Sequence, residues 1–378
     1  MTGSGAPTRR NGRTDGSPAE RRGAGPVAGL SAAARPLRVW IDLSNSPHPL
    51  LFEPVARRLE ELGHQVVLSA RDNAQTVQLA RERWPDARVI GGPSPAGKLP
   101  KALAMGRRVL DLCRFARETR PDVALSHNSY GQIVAARLLR LPVVTAMDFE
   151  HQPANHLAFR LADKILLPVA LRDGALRKQG ATPGKTHFYD GLKEELYLGG
   201  FSPDREVARS LGIDAGELVV VARPAPERAV YHQFGNPLFL EAVRAVAKEP
   251  GVRCVVLPRH PEQRRAIAGL GLPGCVLPER AVDSRSLMQG ADLMIGAGGT
   301  MTREAALLGV PTFTLFAGKQ PAVDRWLEGR GLLRRLQNVD QLFPLVRKEE
   351  RASRLAPLGE RSERLVEAFS DAVLEAAR

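Results

Sequence analysis

Residues 291–311 read Ala-Asp-Leu-Met-Ile-Gly-Ala-Gly-Gly-Thr-Met-Thr-Arg-Glu-Ala-Ala-Leu-Leu-Gly-Val-Pro. Three pieces are visible: an apolar strand at 293–295, a turn built on Gly296, Gly298 and Gly299, and a short helix. Thr300 is the expected N-cap, Gly309 the expected residue just past the helix, and Pro311 stands where no helix continues. The start of a helix leaves amides unpaired and carries partial positive charge. Gly298, Gly299, Thr300 and Met301 therefore make a seat for a phosphate. Glu304, one turn in, can accept hydrogen bonds from ribose hydroxyls. The spacing is neither Gly-x-Gly-x-x-Gly nor a P-loop, so the phosphate site is of another kind, with a turn that merely packs as the alternative.

The same strand–loop–helix grammar recurs on both sides. Residues 37–43 form a buried-strand pattern and 44–48 a turn. Leu51, Val55, Leu59 and Leu62 then recur at helical spacing until Gly63, before a strand at 66–69. This is a βαβ unit, whose parallel strands bring their loops to one carboxyl edge, where ligands bind. Asn45, Ser46 and His48 fall in the first such loop, and His127 and Ser129 in the loop after 121–126. Glu150, His151 and Asn155 follow the strand at 143–147, in the densest run of hydrogen-bonding side chains in the chain. The His151–His156 interval is not the i, i+4 pair of a helical metal site. Polar substrate recognition is the leading reading there, metal binding and loop scaffolding the others.

The Gly- and Pro-rich stretch 91–100, carrying Lys98, reads as a lid or acceptor loop, or else a linker, ahead of a helix at 101–119. Residues 174–198 read as irregular and 199–203 (Gly-Gly-Phe-Ser-Pro) as a hinge. Beyond it, strands at 218–222 and 254–257 end in loops carrying Arg223 to Arg228 and Arg259. The strand at 312–316 leads to Lys319 and Gln320, and helices over 351–378 close the chain. The pattern predicts two Rossmann-like domains facing across a cleft. Residues 1–36 are a tail, 37–200 the first domain, 201–350 the second, with the phosphate seat, and 351–378 terminal helices.

Composition narrows the partners. With 378 residues, 43% hydrophobic and 25% charged, the chain is a soluble globular protein too long for one core. The first 36 residues, rich in Gly, Ala, Ser, Pro and Arg, lack the apolar stretch of a signal peptide and are expected to be disordered. No apolar run spans a membrane. The three cysteines, Cys113, Cys254 and Cys275, lack metal-ligand spacing and fit a reducing cytoplasm. Net charge is +13, of which six Arg against Asp15 and Glu20 lie in the tail, leaving a basic body. That suits nucleotide-sugars, an anionic lipid surface or nucleic acid. Spread charge and only 5% aromatic residues argue against nucleic acid. Peripheral membrane contact of the amino-terminal domain fits the charge, but no amphipathic anchor is evident.

The body from Leu37 to about Leu333 resembles the family of domain of unknown function 354, within the GT-B superfamily of glycosyltransferases and nucleotide-sugar epimerases. The carrying motifs are Ile41-Asp42-Leu43-Ser44-Asn45-Ser46-Pro47-His48, Ser126-His127-Asn128-Ser129-Tyr130, Glu150-His151-Gln152-Pro153-Ala154-Asn155-His156 and Gly296-Ala297-Gly298-Gly299-Thr300 with Arg303-Glu304-Ala305. The chain is also similar to the N-acetylglucosaminyltransferase that makes the lipid-linked peptidoglycan precursor. That likeness puts a loop His on His48, the ribose-holding Glu on Glu304 and, more loosely, a donor-sugar contact on Gln320. Similarity to the non-hydrolysing UDP-N-acetylglucosamine 2-epimerase covers His127, Glu150, Gly298, Gly299 and Glu304. Three of that enzyme's groups are missing: an Asp where Ser129 stands, a carboxylate where Pro153 and Ala154 stand, and a His that falls among residues 223–226.

The resemblance implies a GT-B glycosyltransferase that needs no metal or cofactor. Nucleotide-sugar would be the donor, and a lipid-linked molecule or glycan the acceptor. Arg259 and Lys319 are candidate cations for the leaving diphosphate, and Glu150 a candidate catalytic carboxylate. His48 is the candidate general base, on the expectation of a near-neutral pKa. Asn45, Ser46, His127, Ser129, His151, Asn155 and Arg223 are expected to line the cleft. A nucleotide-sugar epimerase or hydrolase, or a non-catalytic nucleotide-sugar-binding protein, is the alternative.

Overall fold

The computed structural model describes residues 35–93, 95, 97–172, 176–225, 237–280, 282–347 and 352–378. Most of the expected tail, and 226–228 of the Arg223 loop, lie outside them. Two parallel sheets carry the chain. The first is built from β1 Arg38–Leu43, β2 Gln65–Ala70, β3 Arg88–Val89, β4 Val123–His127, β5 Val143–Ala146, β6 Lys164–Pro168 and β7 Thr186–Tyr189, in the order β3-β2-β1-β4-β5-β6-β7. The second is built from β8 Leu218–Arg223, β9 Val252–Val256, β10 Cys275–Val276, β11 Leu293–Gly296, β12 Thr312–Thr314 and β13 Arg334–Arg335, in the order β10-β9-β8-β11-β12-β13.

Helices cover both faces of each sheet, which is why the central strands are mostly apolar, with Asp42, Ser126 and His127 standing towards the carboxyl ends of β1 and β4. In β1, Val39, Ile41 and Leu43 pack on one side and Trp40 on the other. Strand order reverses between β1 and β4 and again between β8 and β11. At such a point neighbouring crossovers part and leave a crevice outside the carboxyl ends. The loops 44–48 and 128–129 sit at the first reversal, and the glycine turn 296–299 at the second.

Four local expectations change. Thr300 is the first residue of the Thr300–Leu307 helix, and Gly299 holds the cap position. It is the Thr302 hydroxyl that donates back, to Gly298 O at 2.7 Å. A Cβ on Gly296 would stand 2.0 Å from that hydroxyl oxygen, so the turn tolerates no side chain there. The other end is as expected: Gly309 adopts φ +73°, and its N–H and that of Val310 close on Ala306 and Ala305 carbonyls at 3.0 and 2.9 Å.

Lys98 opens the Lys98–Thr119 helix and is not part of a loop. The segment read as irregular contains β7, a four-residue edge strand whose Phe188 is exposed, too short and too one-sided to show as an apolar run. The terminal segment is one helix, Ala352–Ala376, and it returns to the first sheet. Leu365, Phe369, Ala372 and Val373 complete that sheet's core. Gly199 lies where this helix crosses the connection between the sheets, since a Cβ there would meet Ser362 Cβ at 2.3 Å.

Candidate active site where two sheet edges meet

The carboxyl edges of the two sheets face one another through side chains. After β5, Asp148 accepts from Arg303 of the Thr300–Leu307 helix at 2.8 Å and from Lys193 of the connecting segment. Arg303 also bonds Asp324 at 2.8 Å, and Lys193 bonds Glu194 at 2.7 Å. All five are at least nine-tenths buried. Burial raises the Asp148 carboxyl, but Lys193, His127 and Arg303 outweigh it and hold it well below the usual range. Three carboxylates against two cations leave this cluster one negative charge in excess, and His127 Nε2 lies 3.3 Å from the free side of Asp148.

Glu150 makes the second bridge. Its Oε1 accepts the Ala322 N–H at 2.9 Å, with Arg325 at 3.4 Å and His151 Nε2 at 3.2 Å. Its Oε2 is buried without a partner. Asn128 Oδ1, Gln320 Nε2 and Arg223 Nε share that condition among the described residues, and all four lie on strand-end loops or a strand end. Buried polar atoms are rarely left unpaired, so these strand-end groups can take bonds from ligand atoms, while Gln132, Gln179 and Glu328 carry such atoms on helices. Asn128 adopts φ +54°, a left-handed turn that aims its amide at Tyr130 OH and Asn155 Oδ1, both at 2.8 Å. Asn155 is thereby fixed, and it donates to Phe149 O at 3.1 Å.

On the second sheet, Gly298 is buried and Gly299 half-buried at the turn into the Thr300–Leu307 helix. A Cβ on Gly298 would stand 3.2 Å from the Arg259 guanidinium, so that cation lies across the turn. Arg303 lies 3.6 Å from the equivalent point of Gly299 and lines its other side. Thr300 and Met301 supply first-turn amides, which have no carbonyl four residues back within the helix. Glu304 is buried. Its Oε1 accepts Tyr197 OH at 2.6 Å, and burial pushes its pKa to about 6 despite that bond.

The first sheet's edge is filled differently. Arg108 clasps buried Asp42 at 2.8 and 3.0 Å, and the hydroxyls of Ser69, Ser129 and Ser44 bond the same carboxylate. Burial raises that carboxyl, but Arg108 and the hydroxyls hold it below the ordinary range. Ser129 therefore serves Asp42. His48 corrects an expectation: it is buried, its Nδ1 accepts the Ser44 N–H at 3.1 Å, and its ring packs 5.5 Å from His127. Burial first, and then His127, push its pKa down to about 3, far from the near-neutral value a general base needs.

Two of the remaining candidates are peripheral. Asn45 is exposed and accepts from Asn73 at 3.1 Å, while Ser46 accepts the Gln75 N–H at 3.2 Å. Arg223 donates through Nη1 to Leu257 O at 2.6 Å, leaving Nε without a partner, and Lys319 is exposed. The Gln320 carbonyl, not its amide, meets His151 and Arg325, at 3.3 and 2.7 Å. Sequence reading gave no role to Asp148, Lys193, Glu194, Arg303, Asp324, Tyr197, Asp42 or Arg108. Charged residues inside apolar runs, as in Ile41-Asp42-Leu43 and Leu192-Lys193-Glu194-Glu195-Leu196, were the available signal.

Two parallel sheets meeting edge to edge define the GT-B class of two-lobed α/β proteins. The chain belongs to the family described as "Protein of unknown function (DUF354)", whose match covers residues 37–377. An uncharacterized protein of Methanocaldococcus jannaschii is 30% identical over 298 residues, 77% of this chain and 85% of that protein. The lipid-A-disaccharide synthase of Hahella chejuensis is 27% identical over 254 residues, 64% of this chain and 62% of the enzyme. Among solved structures, a putative UDP-N-acetylglucosamine 2-epimerase from Listeria monocytogenes superposes with TM-score 0.67 at 16% identity, over 90% of this chain and 97% of its own.

Proposed function

We propose that this protein is a GT-B glycosyltransferase that moves a sugar from a nucleotide-sugar to an acceptor hydroxyl without a metal ion. The observation that carries the proposal is the glycine turn at the second sheet's reversal point, crossed by Arg259 and tied to the first lobe by Arg303. The donor diphosphate rests on the amides of Gly298 to Met301, with Arg259 and Lys319 as counter-charges. Glu304, oriented by Tyr197, takes the ribose, and Gln320 takes sugar hydroxyls. Glu150, through its unpartnered Oε2, accepts the acceptor's proton as the acceptor oxygen attacks the anomeric carbon. The bond from that carbon to the diphosphate breaks, and its electron pair leaves with the diphosphate. His48 has a different part. With Nδ1 accepting from Ser44, the neutral ring carries its proton on Nε2 and can only donate. Homology to lipid-A-disaccharide synthase supports the reading.

An epimerase or hydrolase is the second reading, favoured by the His127–Asp148 contact and by the fold shared with the Listeria protein. A melting-temperature screen over nucleotide-sugars comes first, because a ligand of the native state raises that temperature. Turnover assays in EDTA follow. Product that appears only with acceptor, and is lost in Glu150→Gln but retained in His48→Asn, is the expected result. Epimer or free sugar formed without acceptor would transfer the assignment to the second reading.

A further inference from the structure

Residues 98–107 of the Lys98–Thr119 helix are all exposed, whereas Arg108 is 5% exposed and reaches Asp42 at the end of β1. Met105 and Arg108 both lie against Gly131, at the start of the Tyr130–Leu138 helix. Arg108 thus marks the level of the first sheet's carboxyl edge. At 1.5 Å per residue, the ten preceding residues stand roughly 15 Å beyond that edge, on the side of the candidate site.

The projecting helix has an apolar stripe. Leu99, Leu103, Gly106 and Leu110 recur at i, i+4, i+7 and i+11, opposite the buried face of Leu112, Phe115 and Ala116. The three leucines are 70, 66 and 60% exposed, the largest such row among the described residues. Lys98 and Arg107 flank it, roughly 100° and 80° round the helix from Leu99, while Lys101 lies on the opposite side. From residue 87 to 110 the sequence has Arg88, Lys98, Lys101, Arg107 and Arg108 and no carboxylate. Asp42 neutralises Arg108, and the next acids, Asp111 and Glu118, are paired with Arg114 and Arg88. Lys98, Lys101 and Arg107 make no ion pair among the described residues.

We infer that this stripe docks the protein on an anionic phospholipid surface. Leucines enter the boundary between headgroups and acyl chains, while the flanking Lys98 and Arg107 keep their charges at the headgroups. A second copy of the chain fits less well, since it would bring like-charged flanks together. That an acceptor arrives from the lipid rests on the glycosyl-transfer reading; the docking does not.

The test is co-sedimentation of the full chain with phosphatidylcholine vesicles with and without phosphatidylglycerol. Binding is expected only with phosphatidylglycerol and should weaken as salt rises. Leu99→Ser/Leu103→Ser/Leu110→Ser should lose at least about tenfold in partitioning. Lys98→Gln/Arg107→Gln should lose most of the binding and of its salt dependence. Unchanged melting temperatures would show both variants folded, because every substituted side chain is exposed. Absent wild-type binding, or equal binding by the leucine variant, overturns the inference. So does a dimer in sedimentation equilibrium that the leucine variant dissolves without any vesicle binding. Loss of nucleotide-sugar binding in the melting screen would overturn the donor reading and leave the vesicle result standing.

Discussion

Where the first sheet reverses, Asp42, Arg108, Ser44, Ser69 and Ser129 fill the crevice with side chains bonded to one another. At the matching point of the second sheet, buried Gly298 and half-buried Gly299 bring no side chains of their own, and the nearest cation, Arg259, lies across the turn without a carboxylate partner among the described residues. The first edge has used its charge internally, so it is a rigid frame that shapes a site. The second keeps amides and positive charge available, so an anionic ligand gains more there. Between them, the Asp148–Arg303–Asp324 contacts fix how the two edges approach.

If the first edge is a frame, breaking it should damage folding most. Arg108→Met strands a buried carboxylate and is expected to cost about 3–5 kcal/mol in urea denaturation. Adding Asp42→Asn should recover much of the loss. A loss under about 1 kcal/mol would mean that the frame is relaxed by water and that the contrast between edges is overstated.

Glu304 tests the boundary between frame and site. Its folded pKa of about 6 lies above the ordinary 4.5, so the folded chain holds this proton more tightly than the unfolded one. The resulting stability is complete below pH 4.5 and lost as pH rises through 6, about 2 kcal/mol in all. Glu304→Gln removes that slope, and urea midpoints measured at a series of pH values should diverge across this window. Parallel curves would show the carboxylate to be better solvated than its burial implies.

The smallest expected change in stability is at Gly298. Its backbone requires no left-handed conformation, and an added Cβ meets only the end of the flexible Arg259 side chain. Gly298→Ala should alter stability by less than about 0.5 kcal/mol. Nucleotide-sugar affinity, read by calorimetry, should nevertheless fall about tenfold as the methyl group separates phosphate from amide. Loss of stability without loss of affinity would make the second edge a frame like the first.

Legibility followed the range of the physics. The glycine turn, the βαβ opening and the strand ends bearing Glu150 and His127 were readable, because apolar periodicity and glycine punctuation act between near neighbours. β7 was not, since an edge strand of four residues carries too little pattern. The start of the Lys98–Thr119 helix was misjudged at a Pro-containing boundary, and with it went the exposed leucine row. A leucine in a helix looks the same in sequence whether it faces a core or solvent. Thr300 was assigned the capping role from residue type, but the close approach of Gly296 to Thr302 gave the hydroxyl contact to the later threonine.

The chain's own order of residues determined two α/β lobes, a glycine turn at a helix start and an excess of positive charge, because each depends on composition or on neighbours along the backbone. Only the tertiary structure decided that Asp148 meets Arg303 across 155 positions, that Lys193 joins them, and that His48 is a buried neutral ring. Charges interact through space and through the dielectric around them, and neither distance nor burial is written in sequence spacing.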